Sequence, residues 1–129
     1  MTTLFLTHPS ALNHETGLDH PERPDRIRAL NEEFGKEKYS MLAREEAPMA
    51  PLEAVSLAHP MEYAEKLREV VPADGAVRVD GDTVLSAKSW EPIMRAVGGA
   101  IHAVDEVFAG KAGNAFVAMR PPGHHAETA

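Results

Sequence analysis

The strongest constraint on the fold lies between residues 89 and 119. Ile93, Val97, Ala100, Ile101, Val104, Val107 and Phe108 recur at helical spacing and form one apolar stripe. Ser89 is placed to cap this helix and Gly110 to stop it. Asn114–Met119 then follows as a short apolar run without alternation, the pattern of a strand buried on both faces of a parallel sheet. A long amphipathic helix feeding such a strand predicts an α/β sheet with crossover helices.

The preceding residues extend that pattern. Leu4-Phe5-Leu6 reads as a first strand, and the polar stretch Thr7–Arg23, with three histidines, two prolines and Gly17, reads as a long loop. Pro24 suits a first helical turn, Ile27, Leu30 and Phe34 continue a helical face, and Gly35 closes it. Ala54–Leu57 is a second strand candidate, Met61–Val70 a helix, Pro72–Gly75 a turn and Ala76–Val79 a third strand candidate. No repeat is visible, and Pro48–Pro51 reads as a connector, so residues 1–129 are expected to belong to one domain.

Composition narrows the function classes. With 20 acidic against 13 basic side chains the formal net charge is −7, which argues against a nucleic-acid or anionic-membrane binder. The longest apolar run, Ala115–Met119, is five residues, far short of the roughly 18 a membrane span needs. No signal-peptide pattern opens the sequence, so the expected location is the cytoplasm. Zero cysteines exclude disulfides, thiolate zinc sites and a cysteine nucleophile.

Sites in open α/β sheets lie beyond the carboxyl ends of the strands. That rule points to Arg120-Pro121-Pro122-Gly123-His124-His125-Ala126, directly after the last apolar run. Two prolines stiffen this loop, and two consecutive imidazoles sit where proton exchange near neutral pH is useful. The rival reading is a solvated, inert pair. There is no G-x-S-x-G elbow, no phosphate-cradling G-x-x-x-x-G-K and no second histidine for an H-E-x-x-H motif, since Leu18 occupies that position. A water activated by a metal is the chemistry that best fits a histidine pair acting as acid and base. His8, His14 and His20, six residues apart, lack a recognised ligand spacing and read as polar loop residues.

The segment Arg120–Ala126, reading RPPGHHA, resembles the tandem-histidine segment of the histone deacetylase and acetylpolyamine amidohydrolase superfamily, including its bacterial acetoin-utilization-type members. Three further stretches agree in order: His20-Pro21-Glu22-Arg23-Pro24-Asp25-Arg26, Asp80-Gly81-Asp82-Thr83, and Gly98-Gly99 with Asp105. The resemblance implies an arginase-like α/β fold, a zinc-dependent release of acyl groups from acetylated amines (acetyl-lysine or acetylpolyamine type), and a proton relay through His124 and His125. His125 would be the general base and His124 its electrostatic partner. Asp82 matches the rim aspartate that holds the substrate backbone, with Asp80 one residue of alignment slack away; the rival reading is a solvated turn. Arg23 matches an arginine lining an internal cavity, against an ordinary surface arginine.

In that superfamily the zinc ligands, an Asp-x-His pair and a later Asp, follow the tandem histidines, as do the oxyanion tyrosine and the carboxylates that orient the histidines. None of these lies in residues 1–129, so zinc is implied by the family, with no metal ligand expected among these residues. The expectation is therefore the N-terminal portion of a deacetylase-type domain, inactive alone. The second reading is a non-catalytic remnant that assembles with a partner, and a homo-oligomer is expected from an interrupted sheet.

Overall fold

The computed structural model describes residues 1–124, 126 and 127. Its centre is a three-stranded parallel sheet in the order β2-β1-β5, built from β1 (Thr3–Thr7), β2 (Ala43–Glu46) and β5 (Asn114–Val117). Leu4 pairs with Ala43 on one side and Ala115 on the other, and Leu6 pairs with Glu45 and Val117. A separate antiparallel pair joins β3 (Ala76–Arg78) to β4 (Val84–Ser86). The helices are α1 (Asp25–Phe34), the single turn α2 (Leu52–Val55), α3 (Met61–Val70) and α4 (Trp90–Phe108).

Alternation along β1 sends its side chains to two covered faces. Leu4 and Leu6 pack with Ala103 of α4 and Ala112 on one face. Phe5 points to the other face, where it meets Phe34 of α1 at 5.1 Å and Phe116 at 6.0 Å between ring centroids. Helices on both faces of a parallel sheet are thus present as expected.

α4 is positioned by close backbone approach. A Cβ on Gly98 would lie 2.0 Å from the Pro48 carbonyl oxygen, so only glycine lets the helix rest on the Ala47–Ala50 connector. Ala50 N–H donates to the Met94 carbonyl at 3.1 Å, and Arg95 Nη1 donates to the Ala47 carbonyl at 2.8 Å. Gly110, at φ +75°, ends the helix: its N–H reaches the Val107 carbonyl and that of Lys111 the Glu106 carbonyl, a Schellman arrangement.

Four sequence expectations change. Ala54–Leu57 is not a strand: α2 covers Leu52–Val55, Ser56 caps it and Leu57 is exposed. A four-residue apolar run carries no period that separates helix from strand, and Pro51 immediately before it opens a helical turn. The strand next to β1 is instead Ala43–Glu46, whose charged residues suit an exposed sheet edge and hide it from an apolar search. β5 is not buried on both faces, because Asn114 and Phe116 are exposed where it forms the other edge among the described strands. Ser89 precedes α4 but makes no side-chain cap, its hydroxyl being drawn into a buried cluster.

Gly98→Ala is expected to destabilise the fold by on the order of 3 kcal/mol, since backbone must move to admit the methyl group. Gly81→Ala, which meets open space, should stay within about 0.5 kcal/mol. Urea melts of both variants check this; equal losses would contradict it.

Candidate active site

The chain leaves β5 at the carboxyl end of the sheet. Ala118 N–H donates to the Leu6 carbonyl and Thr7 Oγ1 donates to the Ala118 carbonyl, each at 2.8 Å. Two residues on, Arg120 is completely buried. Its Nε and Nη2 donate to the two carboxylate oxygens of Glu22 at 2.8 and 2.9 Å, a bidentate pair. Nη1 donates to the carbonyls of Ala11 and His14, both at 2.6 Å. Glu22 also accepts from Arg26 Nη1 at 3.0 Å. The residue that opens the tandem-histidine loop is therefore fastened to the β1–α1 segment 98 positions earlier.

His14 completes this cluster. It is buried, its Nδ1 lies 2.6 Å from Ser89 Oγ, and its Nε2 faces a Glu22 oxygen at 3.6 Å. Ser89 Oγ in turn accepts the Ser86 N–H at 2.7 Å, and Ser86 Oγ accepts the Glu15 N–H at 3.0 Å. Ser89, His14 and Glu22 follow the order nucleophile, base, carboxylate, but Ser89 is fully buried and its oxygen already bonded, so no substrate reaches it. The cluster is a structural lock. Among the described residues no buried side-chain polar atom lacks a partner. His14 is thus a polar loop residue, as its spacing suggested, but a buried one.

The electrostatics match this reading. Burial and the adjacent Arg120 charge pull His14 from its ordinary 6.5 down to about 4, against the opposing pull of Glu22. Burial raises the Glu22 carboxyl, but its hydrogen bonds and charge contact with Arg120, helped by His14 and Arg26, outweigh that and hold it below the usual value.

Of the other expected site residues, those that the structure describes are exposed. The Asp80–Thr83 turn is made by Asp80 Oδ1, which accepts the N–H groups of Asp82 and Thr83 at 2.9 and 2.8 Å. Asp82 sits exposed at its tip, and its carbonyl meets His20 Nε2 at 2.9 Å. Arg23 lies on the surface, 3.7 Å from Asp25, while the buried guanidinium of this region is that of Arg120. His124 is exposed in the loop, and His125 lies outside the described residues. No signal in the sequence showed that Glu22, His14 and Ser89 turn inward together, because burial of a polar loop residue leaves no periodic trace. Arg120 had one: an arginine directly between an apolar run and a proline.

The cluster does not suit a metal ion. Arg120 already occupies both oxygens of Glu22, and a cation beside a buried guanidinium would be repelled. Elsewhere among the described residues Glu45, His102 and Glu106 bring donor atoms within 4.8 Å of one another. Contacts within the protein already engage them, Glu45 with His102 at 3.5 Å and Glu106 with Lys111 at 3.7 Å.

Because His14 is held neutral when folded, the unfolded chain binds a proton first as pH falls. Stability should be flat above about pH 6.5 and decline towards pH 4, by a few kcal/mol at most. Urea melts across that range should show the slope, reduced in His14→Gln; an identical slope in both proteins would contradict the assignment.

Comparison with known proteins agrees with this architecture. The histone deacetylase domain model matches residues 20–129. A "Probable deacetylase" of Archaeoglobus fulgidus is 36% identical over 133 residues, covering 98% of this chain and 36% of that protein. A "Histone deacetylase-like amidohydrolase" of Pseudomonas aeruginosa is 33% identical over 117 residues, covering 91% of this chain and 29% of that protein. The crystal structure of the HDA15 HD domain superposes with a TM-score of 0.87 at 24% identity, over 98% of this chain and 37% of that one, which supports the fold. The chain spans about a third of the length of these relatives. A matched domain model over most of the sequence, with the same fold, places this chain in the histone deacetylase domain family.

Proposed function

We propose that this chain is the N-terminal portion of an amidohydrolase that removes acyl groups from acetylated amines, of the acetyl-lysine or acetylpolyamine type. The observation that carries the reading is the RPPGHHA segment leaving the carboxyl end of a parallel strand, its first residue a buried arginine locked by an ion pair to Glu22, in a chain of the histone deacetylase family. In this reading His125 takes a proton from the attacking water, and His124 beside it tunes the charge of that relay. Asp82, at the tip of the Asp80–Thr83 turn, holds the substrate backbone. Asp80 is the poorer candidate, because its carboxylate already builds the turn. Arg23 is retained as a substrate-side residue only through the family match.

Zinc enters through the family alone, and the described residues of this site form no ligand set for it. A hydrolytic zinc centre takes about three protein ligands and an open position. The 129-residue chain is therefore expected to release no acetate from an acetyl-lysine peptide with zinc supplied; chelator-sensitive release would overturn this. In a protein that joins this chain to the remaining length of its relatives, His125→Ala should lower turnover by ~10²–10⁴-fold. His124→Ala should leave a measurable remainder, and small, equal effects would contradict the roles given.

One observation favours a second role for the chain alone, as an assembling module. Along α4 Ile101, Val104 and Phe108 are 41%, 55% and 89% exposed, beside β5 with its open edge and Phe116 at 45%. Apolar flanks and free strand edges of this kind are commonly covered by self-association. Light scattering of the purified chain should then give a discrete oligomer at micromolar concentration. A stable monomer would dismiss this role and leave the catalytic reading untouched.

A further inference from the structure

His20 makes two bonds that between them fix its chemistry. Its Nδ1 accepts the Glu22 backbone N–H at 3.0 Å, and its Nε2 lies 2.9 Å from the Asp82 carbonyl oxygen. A backbone N–H can only donate and a carbonyl can only accept. The two bonds together assign a ring proton to Nε2, donated to the Asp82 carbonyl, and leave Nδ1 as the acceptor. Two residues later the Glu22 side chain receives Arg120 through both oxygens. Pro21, between them, removes one backbone donor and restricts φ, so the segment is short and stiff. Both ties are tertiary: 62 positions separate His20 from Asp82, and 98 separate Glu22 from Arg120.

We propose that His20 is a positioning residue of the deacetylase site. In its Nε2–H form it fastens the Asp82 turn to the same three-residue segment that fastens the root of the tandem-histidine loop. It thereby sets the separation between the residue that holds the substrate and the residues that move the proton. This rests on the roles given above to Asp82, His124 and His125, but the juxtaposition itself is carried by the two bonds. A residue that merely filled space in the loop would need neither a particular ring tautomer nor a donor aimed at Asp82.

Nitrogen NMR of the full 129-residue chain tests this directly. At neutral pH the His20 ring is expected to carry its proton on Nε2, and a ring protonated on Nδ1 would overturn the proposal. Two variants separate the two bonds. His20→Gln extends far enough to keep an amide donor for the Asp82 carbonyl, whereas His20→Asn keeps an acceptor near Nδ1 but cannot reach across. Amide exchange at Asp82 and Thr83 should quicken about tenfold in His20→Asn and stay near the unmodified rate in His20→Gln. Unchanged exchange in a folded His20→Asn protein, or equal changes in both variants, would overturn it. Should the asparagine variant not fold, the tautomer in the unmodified chain still decides. Failure of the deacetylase reading would show elsewhere, as His125→Ala leaving acetate release intact while the NMR result stands.

Discussion

A buried arginine is expensive to place, and the bidentate pair between Arg120 and Glu22 is the interaction on which the architecture around the site depends. Desolvating a guanidinium and a carboxylate costs several kcal/mol for each ion, repaid only when geometry is good and the remaining donors are met. Here three guanidinium nitrogens reach four acceptors, two carboxylate oxygens and the carbonyls of Ala11 and His14. Satisfying that guanidinium requires the β1–α1 segment to fold back over the end of β5. Where that segment lies then dictates the burial of His14, the diversion of Ser89 from helix capping, and the position of His20 against the Asp80–Thr83 turn. Such pairs do not add much net stability over apolar packing, but they specify one arrangement, because any other strands a charge.

The sheet supplies the frame for this lock. β1 is buried between α4 on one face and the Phe5, Phe34 and Phe116 cluster on the other, so the carboxyl ends of β1 and β5 are held in register. Gly98 allows α4 to lie against the Ala47–Ala50 connector, and the same helix begins directly after Ser89, which lies inside the polar cluster. Core and site are therefore joined at one helix terminus, and what orders the helix also orders His14. The chemistry proposed for the loop draws on this rigidity, since proton transfer needs groups placed within hydrogen-bond reach.

Elements with strong periodicity were readable from sequence, and those defined by tertiary satisfaction were not. The apolar stripe of α4, the first strand at Leu4–Leu6, and the helices at Ile27–Phe34 and Met61–Val70 all announce themselves by spacing. The edge strand Ala43–Glu46 does not, because its outward charges break any apolar pattern, and Ala54–Leu57 misleads because a short apolar run fits either period. The RPPGHHA segment follows β5 at the carboxyl end of the sheet, as its place after the last apolar run implied. Its lock stayed hidden, because whether Glu22 or its neighbour Arg23 turns inward depends on a partner 98 residues away in one case and on solvent in the other.

The most direct test of this account is a double-mutant cycle on the pair, using Glu22→Gln, Arg120→Gln and the double variant, with stability read from urea melts. If the pair organises the region, each single change strands a buried partner, and the double change costs less than the sum of the two. The expected coupling is about 2 kcal/mol. Strictly additive losses would mean that Arg120 and Glu22 are buried independently, and the account of how the tandem-histidine loop is held would be wrong.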